Sequence, residues 1–182
     1  MRFAIPALIC AAALAGAAGE NERPSPAFFI QITGEPAAAP LRLEQYRGKI
    51  VALVFIHTTC SHCQNLTVLL KPIATYYAPR GVQFLECAFN ENARNLLPEF
   101  IQRFQPPFPV GWNSDAAVHA YLGRSIIDQR PLYVPHMVFL DRRGIIRADY
   151  PGEDAFFHNP DVNIRAQLDS LLKAGAPAPR KK

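Results

Sequence analysis

An unbroken apolar run, Ile50-Val51-Ala52-Leu53-Val54-Phe55-Ile56, constrains the fold of this chain most strongly. Aliphatic and β-branched residues without polar alternation mark a strand covered on both faces, as in the middle of a parallel sheet. Four residues beyond it stands Cys60-Ser61-His62-Cys63, and Gln64 to Tyr77 then carries Leu66, Leu69, Leu70, Ile73 and Tyr77 at helical spacing. Two cysteines separated by two residues therefore sit at a strand-to-helix turn. The first sulfur falls at the helix N-terminus, where unpaired N–H groups and the macrodipole favour a thiolate. Only the thiolate attacks a disulfide, so this position makes the pair a redox device.

Around that unit the chain reads as β, β-α-β, α, a further short β, α, a β-hairpin and α. Ala27 to Ile32 reads as a short strand and Lys49 to Ile56 as the central one. Pro72 is expected to kink or break the helix that follows. Gly81 turns the chain into a second central strand, Val82 to Phe89. Asn92 to Phe104 is helical with Leu96, Phe100 and Phe104 on one stripe, and Pro106 to Val110 is a candidate strand. Asp115 is placed to cap a helix through Leu122. His136–Leu140 and Ile145–Asp149 flank Asp141-Arg142-Arg143-Gly144, a hairpin signal with a solvated tip. Asp161 or Asn163 can cap a last helix bearing Ile164, Leu168, Leu171 and Leu172. Strands joined by helices favour parallel neighbours, and the hairpin adds antiparallel ones. The expected fold class is α/β, a central mixed sheet with helices on both faces and a C-terminal β-hairpin.

Hydrophobic residues are 49% of the 182, enough for a sizeable core. The formal charge is +4, much of it terminal: Arg2 at one end, Arg180-Lys181-Lys182 at the other. No basic stripe with interleaved aromatics lies between, which argues against nucleic-acid binding. Arg2, the apolar stretch Phe3 to Leu14 and Ala15-Gly16-Ala17 read as an export signal over residues 1–19, cleaved near Ala17. The alternative is a retained membrane anchor, against which the run is short, since about 20 apolar residues are needed to span. Residues 20–26 read as a lead-in, 27–174 as one domain and 175–182 as a disordered basic tail. Cys10 leaves with the signal. Cys60, Cys63 and Cys87 remain, a working pair and a buried inert thiol, in a periplasmic or other extracytoplasmic setting where disulfides persist.

Gly48-Lys49-Ile50-Val51-Ala52-Leu53-Val54-Phe55 leading into Cys60-Ser61-His62-Cys63 resembles the thioredoxin superfamily. Within it, the chain is most similar to the exported TlpA-like and redoxin (AhpC/TSA-like) branch. Gly81-Val82-Gln83-Phe84-Leu85 resembles that branch's second strand, and Phe108-Pro109-Val110 its "PFPV" segment. Val134-Pro135, followed by Val138-Phe139-Leu140-Asp141-Arg142-Arg143-Gly144, resembles its cis-proline strand and turn. The likeness covers roughly residues 25 to 172. It implies a thioredoxin-like fold and a thiol-disulfide oxidoreductase that exchanges disulfides with protein substrates and is served by a redox partner. Cys60 is then the attacking sulfur and Cys63 the resolving one. Pro135 is a cis proline packed on the dithiol, and Val134 and Thr59 contact substrate. The exchange needs no cofactor.

The sequence also departs from that pattern. Thr59 stands where thioredoxins have Trp. Val54 and Leu66 stand where thioredoxins and TlpA-like reductases, respectively, have an acid that helps deprotonate the second sulfur. That argues against fast reductase turnover, with His57 the nearest substitute in sequence. His62 points the other way. An imidazolium beside the first sulfur stabilises its thiolate, hence the reduced form, and makes the disulfide more oxidising. The same inner pattern occurs in the oxidase DsbA. Peroxiredoxin chemistry is disfavoured, because neither His57 and Leu53 (for Cys60) nor Cys60 and Ile56 (for Cys63) are the Thr or Ser and the Pro it needs. A second reading is a copper or other soft-metal chaperone in which Cys60, Cys63 and His136 converge on an ion such as Cu(I).

Overall fold

The computed structural model describes residues 22–33, 38–125 and 131–175. The export signal and the basic tail beyond Gly175 lie outside the described residues. Along the chain run β1 (Arg23–Pro24), β2 (Phe29–Ile30), β3 (Leu41–Arg42), β4 (Ile50–Ile56) and α1 (Ser61–Tyr77). Then come β5 (Val82–Ala88), α2 (Ala93–Phe104), β6 (Val110–Trp112), α3 (Asp115–Tyr121), β7 (His136–Leu140), β8 (Ile145–Tyr150) and α4 (Pro160–Ala174). Six strands form one sheet in the order β1-β8-β7-β4-β5-β6, and β2 and β3 pair separately. The β4, β5 and β6 strands run parallel, while β7, β8 and β1 join antiparallel.

Every residue of β4 is buried, and its alternation sorts them between two cores. Ile50, Ala52, Val54 and Ile56 face Leu66, Leu70 and Ile73 of α1 together with Ile164 and Leu168 of α4. Val51, Leu53 and Phe55 face Phe28, Ile30, and Val118 and Tyr121 of α3. The sheet thus has helices on both faces, and the turn after β4 opens at its carboxyl edge.

Several local expectations are corrected. Helix α1 runs unbroken through Pro72. The missing amide strands the carbonyl of exposed Val68, which water can reach, while Leu70, Ile73 and Ala74 hold the opposite side. In α2 the buried stripe is Ala93, Leu97 and Phe100, with Leu96 turned aside. The β6 strand begins only at Val110, because Pro106, Pro107 and Pro109 lack amide donors. Ser114, not Asp115, caps α3, accepting from the Ala117 amide. Neither Asp161 nor Asn163 caps α4, which starts at Pro160; Asn163 instead donates to the Phe156 carbonyl. The strand expected over 27–32 shrinks to β2, and Arg23–Pro24 of the lead-in adds an edge strand to β8. Asp141 is no solvated tip. Its Oδ1 accepts the amides of Arg143 and Ile145, and its Oδ2 accepts Arg147 Nε at 2.9 Å.

Candidate active site

Three elements pin the turn that delivers the dithiol. The Cys60 amide donates to the His57 carbonyl at 3.1 Å. Beneath it Thr58 is buried; its amide donates to Asn90 Oδ1 at 2.9 Å, and Asn90 Nδ2 donates to Thr58 Oγ1 at 3.1 Å. Gln64 Nε2 donates to the Thr58 carbonyl at 2.8 Å. Asn90 follows β5 and Gln64 belongs to α1, so strand, helix and neighbouring strand agree on where the sulfurs stand. Sequence reasoning missed both residues; polar side chains beside an apolar strand end were the available signal.

Cys60 is the N-cap of α1, and its Sγ accepts the Cys63 amide at 3.4 Å. Cys60 is partly exposed, Cys63 is buried, and both are unpaired. Burial, and then the hydrogen bond with Cys60, push the Cys63 thiol far above the usual range; nearby Glu86 adds to this, and a backbone contact with His57 opposes it. The two sulfurs are unequal by position: one faces solvent and the helix N-terminus, the other faces the core.

Sequence reasoning found no acid on the buried side of the pair, and the structure corrects this. Glu86 of β5 lies opposite Val54 in the parallel ladder and is wholly buried. Thr67 Oγ1 lies 2.9 Å from Glu86 Oε1 and 3.0 Å from the Cys63 carbonyl. A hydroxyl has one hydrogen, and a carbonyl only accepts. The Thr67 hydroxyl therefore donates to one of two acceptors at a time, the Glu86 carboxyl oxygen or the Cys63 carbonyl. Burial raises Glu86 to about 8, against the opposing hydrogen bond of Thr67, so the protonated form dominates at pH 7. Among the described residues, Glu86 Oε2 has no partner. One carboxylate in the otherwise apolar run Phe84 to Ala88 was the sequence signal for it.

The Val134–Pro135 bond is cis. The Val134 carbonyl stands 3.9 Å from Cys60 Sγ, which donates to it. Gly152 backs this ledge. Its amide donates to the Tyr133 carbonyl at 3.2 Å, and a β-carbon there would lie 2.9 Å from the Val134 carbonyl carbon. Beside the ledge opens a groove of about 360 Å³ walled by Leu66, Leu69, Tyr133 and Phe157. His62, exposed on the first turn of α1, stands on its rim with Asn65 and Glu153.

Other candidate residues are placed elsewhere. Thr59 is exposed and lines a separate depression with Gln64, Phe100 and Arg103. The His57 ring packs on Phe89, centroids 4.5 Å apart, and Phe89 belongs to the core opposite Cys63. The His57 ring therefore does not serve as the acid beside Cys63; burial lowers its pKa, with Asp115 opposing. His136 pairs with Phe55 in register, on that same opposite face. Its Nε2 meets Asp149 Oδ1 at 2.5 Å, and Arg23 donates to Asp149 Oδ2 at 3.2 Å. Burial alone would raise Asp149, but its contacts with His136 and Arg23 outweigh it and hold the carboxyl low. Strand alternation thus separates His136 from the dithiol. No group of three or more His, Cys, Asp or Glu among the described residues is placed to hold a metal ion. His119 pairs with Asp115 one helical turn away, at 3.5 Å. Cys87 is fully buried in β5.

A strand-turn-helix dithiol beside a cis proline, at one end of a mixed sheet, defines a thioredoxin-like α/β protein. The sequence model of the AhpC/TSA family matches residues 24–149, and the chain belongs to that family. No curated protein matches the chain. Solved structures share the fold. A thiol:disulfide interchange protein of the thioredoxin family from Chlorobium tepidum is 20% identical, covering 81% of this chain and 97% of that one, with a TM-score of 0.63. A thiol:disulfide interchange protein from a Bacteroides species is 16% identical, with coverages of 88% and 95% and a TM-score of 0.64. The thioredoxin domain of a thiol-disulfide oxidoreductase from Bacteroides vulgatus is 18% identical, with coverages of 77% and 95% and a TM-score of 0.58.

Proposed function

We propose that the protein is an exported thiol-disulfide oxidoreductase that exchanges disulfides with protein substrates through Cys60 and Cys63. One observation carries the reading: a partly exposed sulfur caps α1 while its partner, one turn on, is buried behind it. The Cys60 thiolate attacks a client disulfide, forming a mixed disulfide and expelling one client thiolate. Cys63 loses its proton and attacks the Cys60 sulfur, which closes the Cys60–Cys63 disulfide and releases the second client thiolate. The client gains two electrons and the dithiol loses two; the reverse sequence oxidises a client. Glu86, on the buried side, is the proton acceptor for Cys63 in one direction and the donor in the other. Val134 and Pro135 form the docking ledge, His62 tunes the potential, and Thr59 flanks the attacking sulfur. A separate redox partner resets the pair outside the cytoplasm.

Cys63→Ser is expected to trap clients as mixed disulfides through Cys60, with Cys60→Ser trapping none. The wild-type protein should reduce insulin disulfides or oxidise a reduced, unfolded substrate. Trapping that is independent of Cys60, or exchange that survives loss of either cysteine, would overturn the proposal.

A further inference from the structure

The geometry points to a substrate class: client cysteines with a bulky apolar residue two positions away, in a neutral-to-cationic rather than acidic setting. The inference rests on the exchange activity proposed above and adds what selects the client. The groove begins at Val134, whose carbonyl stands 3.9 Å from Cys60 Sγ. An extended client lying over Cys60 presents alternate side chains to the same face, about 7 Å apart. When its cysteine faces Cys60, the residues two positions away on either side face the protein as well, and on one side they meet the groove.

Size and charge narrow the occupant. An apolar cavity of about 150 Å³ accommodates a benzene ring; this groove is about 360 Å³, ample for a Phe or Leu side chain with a neighbour. Leu66 and Leu69 come from α1, Pro135 from the ledge, and Phe157 and Pro160 from the segment after β8. Tyr133, half exposed, extends the apolar surface at the rim. Among the described residues, Glu153 is the one carboxylate on the lining, and no Lys or Arg lines it. A cationic client residue gains there, and an acidic one, including a small acidic thiol such as glutathione, meets repulsion.

The test uses reduced full-length protein and synthetic disulfide-linked peptide dimers with Phe or Ser on both sides at two positions from cysteine, each in a Lys and a Glu series. Single-turnover reduction is read by acid quench and chromatography. The Phe/Lys dimer is expected to react about tenfold faster than the Ser/Glu dimer, and Glu153→Lys to invert the Lys-over-Glu preference. Equal rates across the set, or a charge preference unmoved by Glu153→Lys, would overturn the assignment while leaving exchange intact. Absence of reaction with every peptide and with a small aromatic disulfide would instead overturn the exchange reading, and this one with it.

Discussion

Cys63 and Glu86 are both buried on the α1 side of the sheet, where burial first, with the nearby Glu86 charge adding to it, makes a Cys63 thiolate costly. A carboxyl raised to about 8 holds its proton at pH 7 and becomes free to accept one as pH approaches 8, so it is a donor below that value and a general base above it. The step in which Cys63 displaces the client should therefore accelerate as pH rises through about 8. Glu86→Gln preserves the shape and removes the proton acceptor; its expected result is a slower release that no longer titrates there, with the Cys60 attack unchanged. Stopped-flow decay of a preformed mixed disulfide across pH 6 to 9 measures it, and a surviving midpoint in the variant would exclude Glu86. His62 is tested separately. Pro is tolerated on a first helical turn, so His62→Pro should fold and lower the reduction potential by about 30 mV, the equivalent of about 1.4 kcal/mol; an unchanged potential removes His62 from the tuning. The cysteines were legible because their spacing is local. Glu86 was not, because only the pairing of β5 with β4 carries it to Val54 and Thr67.

At the scale of elements, close backbone approaches were the least visible. Gly111 of β6 lies against the chain after β2, where Gln31 and Trp112 exchange backbone hydrogen bonds at 2.9 Å. A β-carbon there would stand 2.2 Å from the Gln31 carbonyl oxygen, which is backbone and cannot rotate away. Gly111→Ala is expected to destabilise by about 1–3 kcal/mol as overpacking displaces the lead-in segment, measured by urea unfolding. Wild-type stability would mean that the bridge is dispensable. The sequence carried β4, α1, β5 and the β7–β8 hairpin, each with a strong local period or turn. It did not carry β1 or the true start of β6. Both are two- or three-residue strands whose pairing comes from the sheet edge they meet, not from their own propensity.

Across the whole molecule, buried and half-buried titratable groups give stability opposite pH dependences. Asp141 and Asp149 ionise more readily folded than unfolded, so their contribution is present above about pH 4 and is lost as pH falls through their lowered folded values. His57 is also depressed, so the unfolded chain binds its proton first, and stability rises with pH up to about 6.5. Glu86 has the opposite sign. Its folded value is raised from 4.5 to about 8, so the folded state binds more protons in that interval and stability falls as pH rises through it. Below about 6.5 His57 and Glu86 partly cancel; from about 6.5 to 8 Glu86 acts without that opposition, before the raised thiols of Cys63 and Cys87 extend the decline above the usual thiol range. Reduced wild-type protein should therefore lose stability between pH 6.5 and 8, and Glu86→Gln should lose much less. Urea midpoints at the two pH values measure the difference. Parallel declines in both proteins would place Glu86 among solvated carboxylates, and its role as proton partner to Cys63 would fall with that result.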